Sequence, residues 1–184
     1  MTIAEITQNP RLVFALLLGA SVAALAAAFA SQYIGGLEPC VLCLYQRVPY
    51  GAVIILSGLG LGLSGSAPPP KGVIVVLGGL CAAAFLVNAG IATFHVGVEQ
   101  QWWRGTEACG GGGTMARTIE ELRAQIFAAP VVRCDEVPWS LFGISMAGYN
   151  VLASLGLFVA SAIAARGMWR ADARAVPRPR IEGT

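Results

Sequence analysis

The chain has 184 residues, 56% of them hydrophobic and only 12% charged, with a formal net charge of +2. Ordinary soluble domains carry roughly a quarter charged residues, so this composition argues against a water-soluble fold and for lipid as the surrounding solvent. No nucleic-acid partner is expected.

Crossing the hydrocarbon layer as a helix takes about 20 consecutive, largely apolar residues. The first uncharged run, Leu12 to Leu37, exceeds that length. It lacks a clear small-residue cleavage site and is long for a leader, so it reads as a retained membrane helix over about 12–34. A short connection over about 35–48 follows, carrying Glu38, Cys40, Cys43 and Arg47. The second run, Val48 to Pro70, places a span at about 49–65, with Pro49 suited to its first turn and Ser64 to Pro70 ending it early. The third run, Gly72 to Val98, places a span at about 72–95. Cys81 lies in its middle and reads as a small apolar packing residue.

The long connection over about 96–141 holds Cys109 and Cys134, separated by a stretch that includes Gly110 to Gly113. Within it Thr118 and Glu121 fit a capping box, and Ile119, Leu122, Ile126 and Phe127 make a partial apolar face. A short helix suited to the bilayer surface, or to docking a partner, is expected there. The last run, Val137 to Ala165, places a span at about 142–165, followed by an Arg- and Pro-rich tail over 166–184. The expected architecture is an all-α membrane protein, one membrane domain over residues 1–184. It is a four-transmembrane-helix bundle with a short interfacial helix in its second outward loop.

Four spans put both termini on one side. That side, with the turn at Lys71, carries Arg11, Arg166, Arg170, Arg174, Arg178 and Arg180 and is net +4, whereas the other side is net −2. Basic residues near span ends stay cytoplasmic, so the cysteine-bearing loops should face outward, toward the periplasm of a Gram-negative bacterium. The tail reads as a solvated charged end beside anionic headgroups. Trp102, Trp103, Trp139, Tyr45 and Tyr50 suit an aromatic belt at the outer interface.

Four of the five cysteines therefore face an oxidising compartment. Cys40-Val41-Leu42-Cys43 is a C-x-x-C pair, an arrangement for reversible dithiol chemistry that also serves zinc binding and haem attachment. The residue after Cys43 is Leu44, which argues against the haem form. A four-cysteine zinc site through Cys40, Cys43, Cys109 and Cys134 is the metal alternative, weakened by the wide spacing of the second pair. A purely structural bridge across the second pair would gain about 3 kcal/mol in the chain-entropy model. That reading does not explain a tight pair beside a membrane helix, and exchange chemistry does. Arg47 and the positive end of the following helix would both favour a thiolate.

The string Glu38-Pro39-Cys40-Val41-Leu42-Cys43-Leu44-Tyr45-Gln46-Arg47 resembles the signature of the disulfide bond formation protein B (DsbB) family, and so do the four spans and the loop cysteines. The resemblance covers roughly residues 10–166. It implies a membrane oxidoreductase that re-oxidises a periplasmic thioredoxin-fold, DsbA-like thiol oxidase and passes the electrons to ubiquinone or menaquinone. Cys109 and Cys134 would form the pair that meets the partner, Cys109 making the mixed disulfide. Electrons would pass through a Cys40–Cys134 linkage, leaving Cys43 as the thiolate that meets the quinone. Arg47 and His95 match family positions near the quinone, and no metal is required. A vitamin K epoxide reductase-like protein also couples a C-x-x-C to quinones, but the first-loop position of the pair favours the DsbB type. Outside the enzyme class stand a metal-binding membrane protein and a membrane subunit with structural disulfides.

Overall fold

A computed structural model describes residues 3–65, 70–109, 118–128 and 132–175. The order is helix α1 (Ile3–Gln8), α2 (Pro10–Tyr33), α3 (Val41–Leu63), α4 (Lys71–Glu99), a single 3-10 turn at Glu107–Cys109, α5 (Ile119–Ala128), strands β1 (Ser140–Leu141) and β2 (Ile144–Ser145), and α6 (Met146–Ala175). Helices α2, α3, α4 and α6 are each long and apolar enough to cross a membrane. The chain is thus an all-α, multi-pass four-helix membrane bundle. Additions to the expected plan, among the described residues, are the short helix α1, the 3-10 turn and the two-residue antiparallel ladder β1–β2, which pairs Ser140 with Ser145 ahead of α6.

Helices α2, α3 and α5 start where the chain supplies a side-chain cap. Asn9 Oδ1 accepts the Leu12 N–H at 3.3 Å, and Pro10 stands at the first helical position, where its missing N–H costs nothing. Helix α3 begins at Val41 rather than at about 49, because Cys40 caps it: its Sγ accepts the Cys43 N–H at 3.3 Å. Pro49 is consequently inside α3, not in its first turn. Helix α4 ends in a Schellman motif, with Gln101 N–H bonded to Val98 C=O at 3.1 Å and Trp102 N–H to Gly97 C=O at 2.8 Å. Gln101 takes the left-handed conformation this requires, with φ 58°. Helix α5 is capped as its sequence indicates, by Thr118 Oγ1 accepting the Glu121 N–H at 3.1 Å.

The bundle interior holds Phe14, Val53, Cys81 and Phe85, all fully buried, with Tyr50 packed edge-on to Phe85 at 6.0 Å. Where α2 meets α3, a Cβ on Gly60 would lie 2.6 Å from the Phe14 ring, so only glycine admits that approach. Ile55, Leu59, Val76 and Leu152 point outward and are more than half exposed, the pattern of helices bounded by lipid rather than water. Helix α1 packs on the far end of α6. The glycine run at Gly110–Gly113 and the end of the tail, residues 176–184, lie outside the described residues.

Candidate functional site

Both expected cysteine pairs come together at one end of the bundle. Cys40, Cys109 and Cys134 are buried in a single cluster with Leu42 and Val98, and Cys43 packs against it. Cys109 and Cys134 are disulfide-bonded, with Cα atoms 5.2 Å apart, whereas Cys40 and Cys43 are thiols. The loop bearing the disulfide is folded back by the Schellman turn after α4. There Trp103 donates its indole N–H to Phe94 C=O at 3.0 Å and stacks on the Phe94 ring.

Three polar groups surround Cys40 Sγ. Cys43 Sγ lies 2.9 Å away, the Cys43 N–H 3.3 Å and His95 Nε2 3.5 Å. The Cys43 thiol hydrogen bond holds Cys40 well below the ordinary thiol range, down to about 4, with His95 adding to the effect against burial, which pushes the other way. A negative charge on the pair is therefore favoured on Cys40. The short contact between the two sulfurs gives a proton a path by which that charge can pass to Cys43.

Behind the thiols, His95 Nδ1 meets Gln46 Nε2 at 2.9 Å, and Gln46 Oε1 accepts from Asn150 Nδ2. Tyr50 OH donates to Asn150 Oδ1 at 2.6 Å, and Asn88 Nδ2 donates to Ser154 Oγ at 2.8 Å. Glu99 stands 3.8 Å from His95 Nε2 with its side chain only 3% exposed, and accepts from Ser145 Oγ. Gln46, Tyr50, Asn88, Glu99 and Asn150 carry no expectation in the sequence as site residues. The available signals were the i,i+4 spacing of His95 and Glu99 and the presence of amides within apolar runs. Tyr50, expected in an interfacial belt, is instead 5% exposed inside the bundle.

Arg47 is one turn beyond Cys43 on α3, but its hydrogen bonds run to α2. Nη1 donates to Gln32 Oε1 at 2.8 Å and Nη2 to Ala28 C=O at 3.4 Å, while the guanidinium lies 4.8 Å from the Phe29 ring centroid. The groups acting directly on the Cys40 sulfur are therefore the start of α3, Cys43 and His95. A cavity of about 570 Å³ opens between α2, α3, α4 and α6, and Cys40, Cys43, Arg47 and His95 all line it. Its walls are largely small and apolar, as at Ala24, Ala28 and Ala153, with Trp139 and Tyr50 contributing rings. Such a site suits a flat apolar molecule with acceptor atoms, since the guanidinium in its wall carries donors.

Cys40, Cys43 and His95 also place three ligand atoms within 4.8 Å of one another, which would suit a soft metal ion. The four-cysteine site is a different matter: Cys109 and Cys134 are joined to each other and offer no thiolates in this state.

Two sulfur pairs in one buried cluster, one bonded and one reduced, can trade bonds, and on four membrane-spanning helices that capacity defines a class: a membrane thiol:disulfide oxidoreductase. Comparison with known proteins agrees and narrows it. The family model described as disulfide bond formation protein DsbB matches residues 10–164. Disulfide bond formation protein B of Verminephrobacter eiseniae is 34% identical over 182 residues, covering 95% of this chain and 96% of the relative. The protein of the same name from Albidiferax ferrireducens is 33% identical over 175 residues, covering 91% and 92%. A third, from a Psychrobacter species, is 29% identical over 136 residues, covering 72% and 77%. The chain belongs to the DsbB family.

Proposed function

We propose that the protein re-oxidises a periplasmic DsbA-like thiol oxidase and passes two electrons to a membrane quinone, from an inner membrane in which both termini are cytoplasmic. The observation that carries this reading is the thiol pair Cys40–Cys43 in the wall of an apolar cavity and in contact with the Cys109–Cys134 cluster. The cavity's fit to a quinone rests on its apolar walls and on the Arg47 guanidinium in its lining, which would donate to a carbonyl oxygen. When bound there, a quinone supplies a two-electron acceptor that ends as a quinol.

The chain's residues do the rest. Cys109, the first cysteine of the outer pair, takes the partner's thiolate in a mixed disulfide, and a second partner thiol releases it with both outer cysteines reduced. Cys134 then attacks the inner disulfide at Cys40, with which it shares a buried cluster, and Cys43 leaves as the thiolate facing the cavity. Attack by Cys109 on Cys134 restores the outer disulfide and leaves the inner pair as two thiols, the state described above. Arg47 orients the acceptor, and His95 steadies charge on the sulfurs. Purified Cys43→Ser protein should insert into membranes normally yet fail to reduce ubiquinone with a reduced DsbA-like partner; turnover equal to wild type would defeat the assignment.

A further inference from the structure

His95 is the chain's single histidine, and its two ring nitrogens face different partners. Asn150 Oδ1 is occupied by three donors, Tyr50 OH at 2.6 Å, Ser154 Oγ at 3.3 Å and Asn88 Nδ2 at 3.4 Å. Its amide nitrogen is thereby turned toward Gln46 and donates to Gln46 Oε1. With that oxygen taken, the Gln46 amide nitrogen faces His95 Nδ1 at 2.9 Å and can only donate to it. A neutral imidazole carries one N–H, so an Nδ1 that accepts puts the hydrogen on Nε2. Nε2 is the nitrogen that faces Cys40 Sγ at 3.5 Å, with Glu99 beyond it at 3.8 Å. Most of the relay is buried: Gln46 is 6% exposed, His95 3%, and Asn88 and Ser154 are fully buried, while Asn150 is half-buried where it lines the cavity.

We infer that Asn150 and Gln46 are positioning residues, a directional amide relay from α6 through α3 that fixes His95 in the Nε2–H tautomer and aims its N–H at the Cys40 sulfur. The relay deepens the thiol–quinone reading: Gln46 and Asn150 line the cavity that would hold the acceptor, but their hydrogen bonds run to His95 and to each other rather than to either sulfur. An imidazole in the other tautomer would present a lone pair to Cys40 and repel the thiolate it now stabilises. Glu99 lies on the same side of the ring at 3.8 Å, too far to accept a hydrogen bond but near enough to favour an N–H there. Held by Ser145, that carboxylate is kept from swinging further toward Cys40.

The test uses full-length, quinone-stripped protein with its histidine labelled with nitrogen-15, at a pH where the imidazole is neutral. The shifts of the two ring nitrogens distinguish the tautomers directly. Wild type should show the hydrogen on Nε2, and finding it on Nδ1 overturns the inference whatever the variants do. Asn150→Leu and Gln46→Leu should each bring up the Nδ1–H form and raise the Cys40 titration midpoint, read from ultraviolet thiolate absorbance, by about one pH unit, the loss expected for one hydrogen bond to a charged sulfur. Ser154→Ala, at the far end of the relay, should leave the Nε2–H form in place. An unchanged tautomer in both leucine variants also overturns it. No quinone is present, so these outcomes stand apart from the proposed function: failure of wild type to reduce ubiquinone would sink that reading and leave the tautomer result intact.

Discussion

Removing the Cys43 thiol should unmask how strongly it holds charge on its neighbour. Cys43 Sγ lies 2.9 Å from Cys40 Sγ, the Cys43 N–H donates to it at 3.3 Å and His95 Nε2 lies 3.5 Å away, and the first of these contributes most to bringing Cys40 down to about 4. Cys43→Ala deletes the first and largest of these and keeps the other two. A hydrogen bond to a charged group contributes about 1.5–3 kcal/mol. At about 1.4 kcal/mol per pH unit, the Cys40 midpoint should rise by roughly one to two units. Cys43→Ser, which retains a hydroxyl donor, should shift it less. The assay is the ultraviolet thiolate absorbance of purified protein titrated with the Cys109–Cys134 disulfide intact. The same coupling has a defined sign in stability: a depressed thiol stabilises the fold fully above its ordinary value of 9, and this contribution is lost progressively as pH falls toward 4. A wild-type midpoint near 9, or an alanine variant that titrates like wild type, would refute the reasoning.

Three further outcomes follow from the geometry. Arg47→Ala should raise the KM for quinone with little effect on exchange between the cysteine pairs, because its contacts run to Gln32 and Ala28 rather than to sulfur; steady-state kinetics with varied quinone and with varied partner separate the two. Gln101→Gly should stabilise the protein by about 1 kcal/mol in thermal unfolding, since it relieves a left-handed residue at the end of α4. Gly60→Val should destabilise it by about 1–3 kcal/mol, because the added atoms meet the Phe14 ring.

The four helices were legible because the uncharged runs are long enough to span a bilayer, and lipid leaves a backbone little choice but helix. The resemblance around Cys40 and Cys43 likewise pointed to the right class, and Thr118 announced the start of α5. The start of α3 was misjudged because Pro49 is a strong signal for a first turn, while a cysteine is an unusual cap and carried no signal of its own. The polar relay was illegible for a different reason. Whether Asn88, Asn150 and Gln46 face lipid, cavity or one another depends on how each helix is rotated about its axis, and packing at contacts such as Gly60–Phe14 sets that rotation. Glu99 counted as a loop charge in the sequence, yet α4 runs on through it and turns it inward beside His95.

The account stands or falls on whether electrons leave the sulfurs for a quinone in the adjoining cavity. Fully reduced wild-type protein, mixed without oxygen with excess ubiquinone, should form quinol while the thiols of Cys40, Cys43, Cys109 and Cys134 disappear in pairs. Quinone left unreduced with all four thiols still titratable would contradict it.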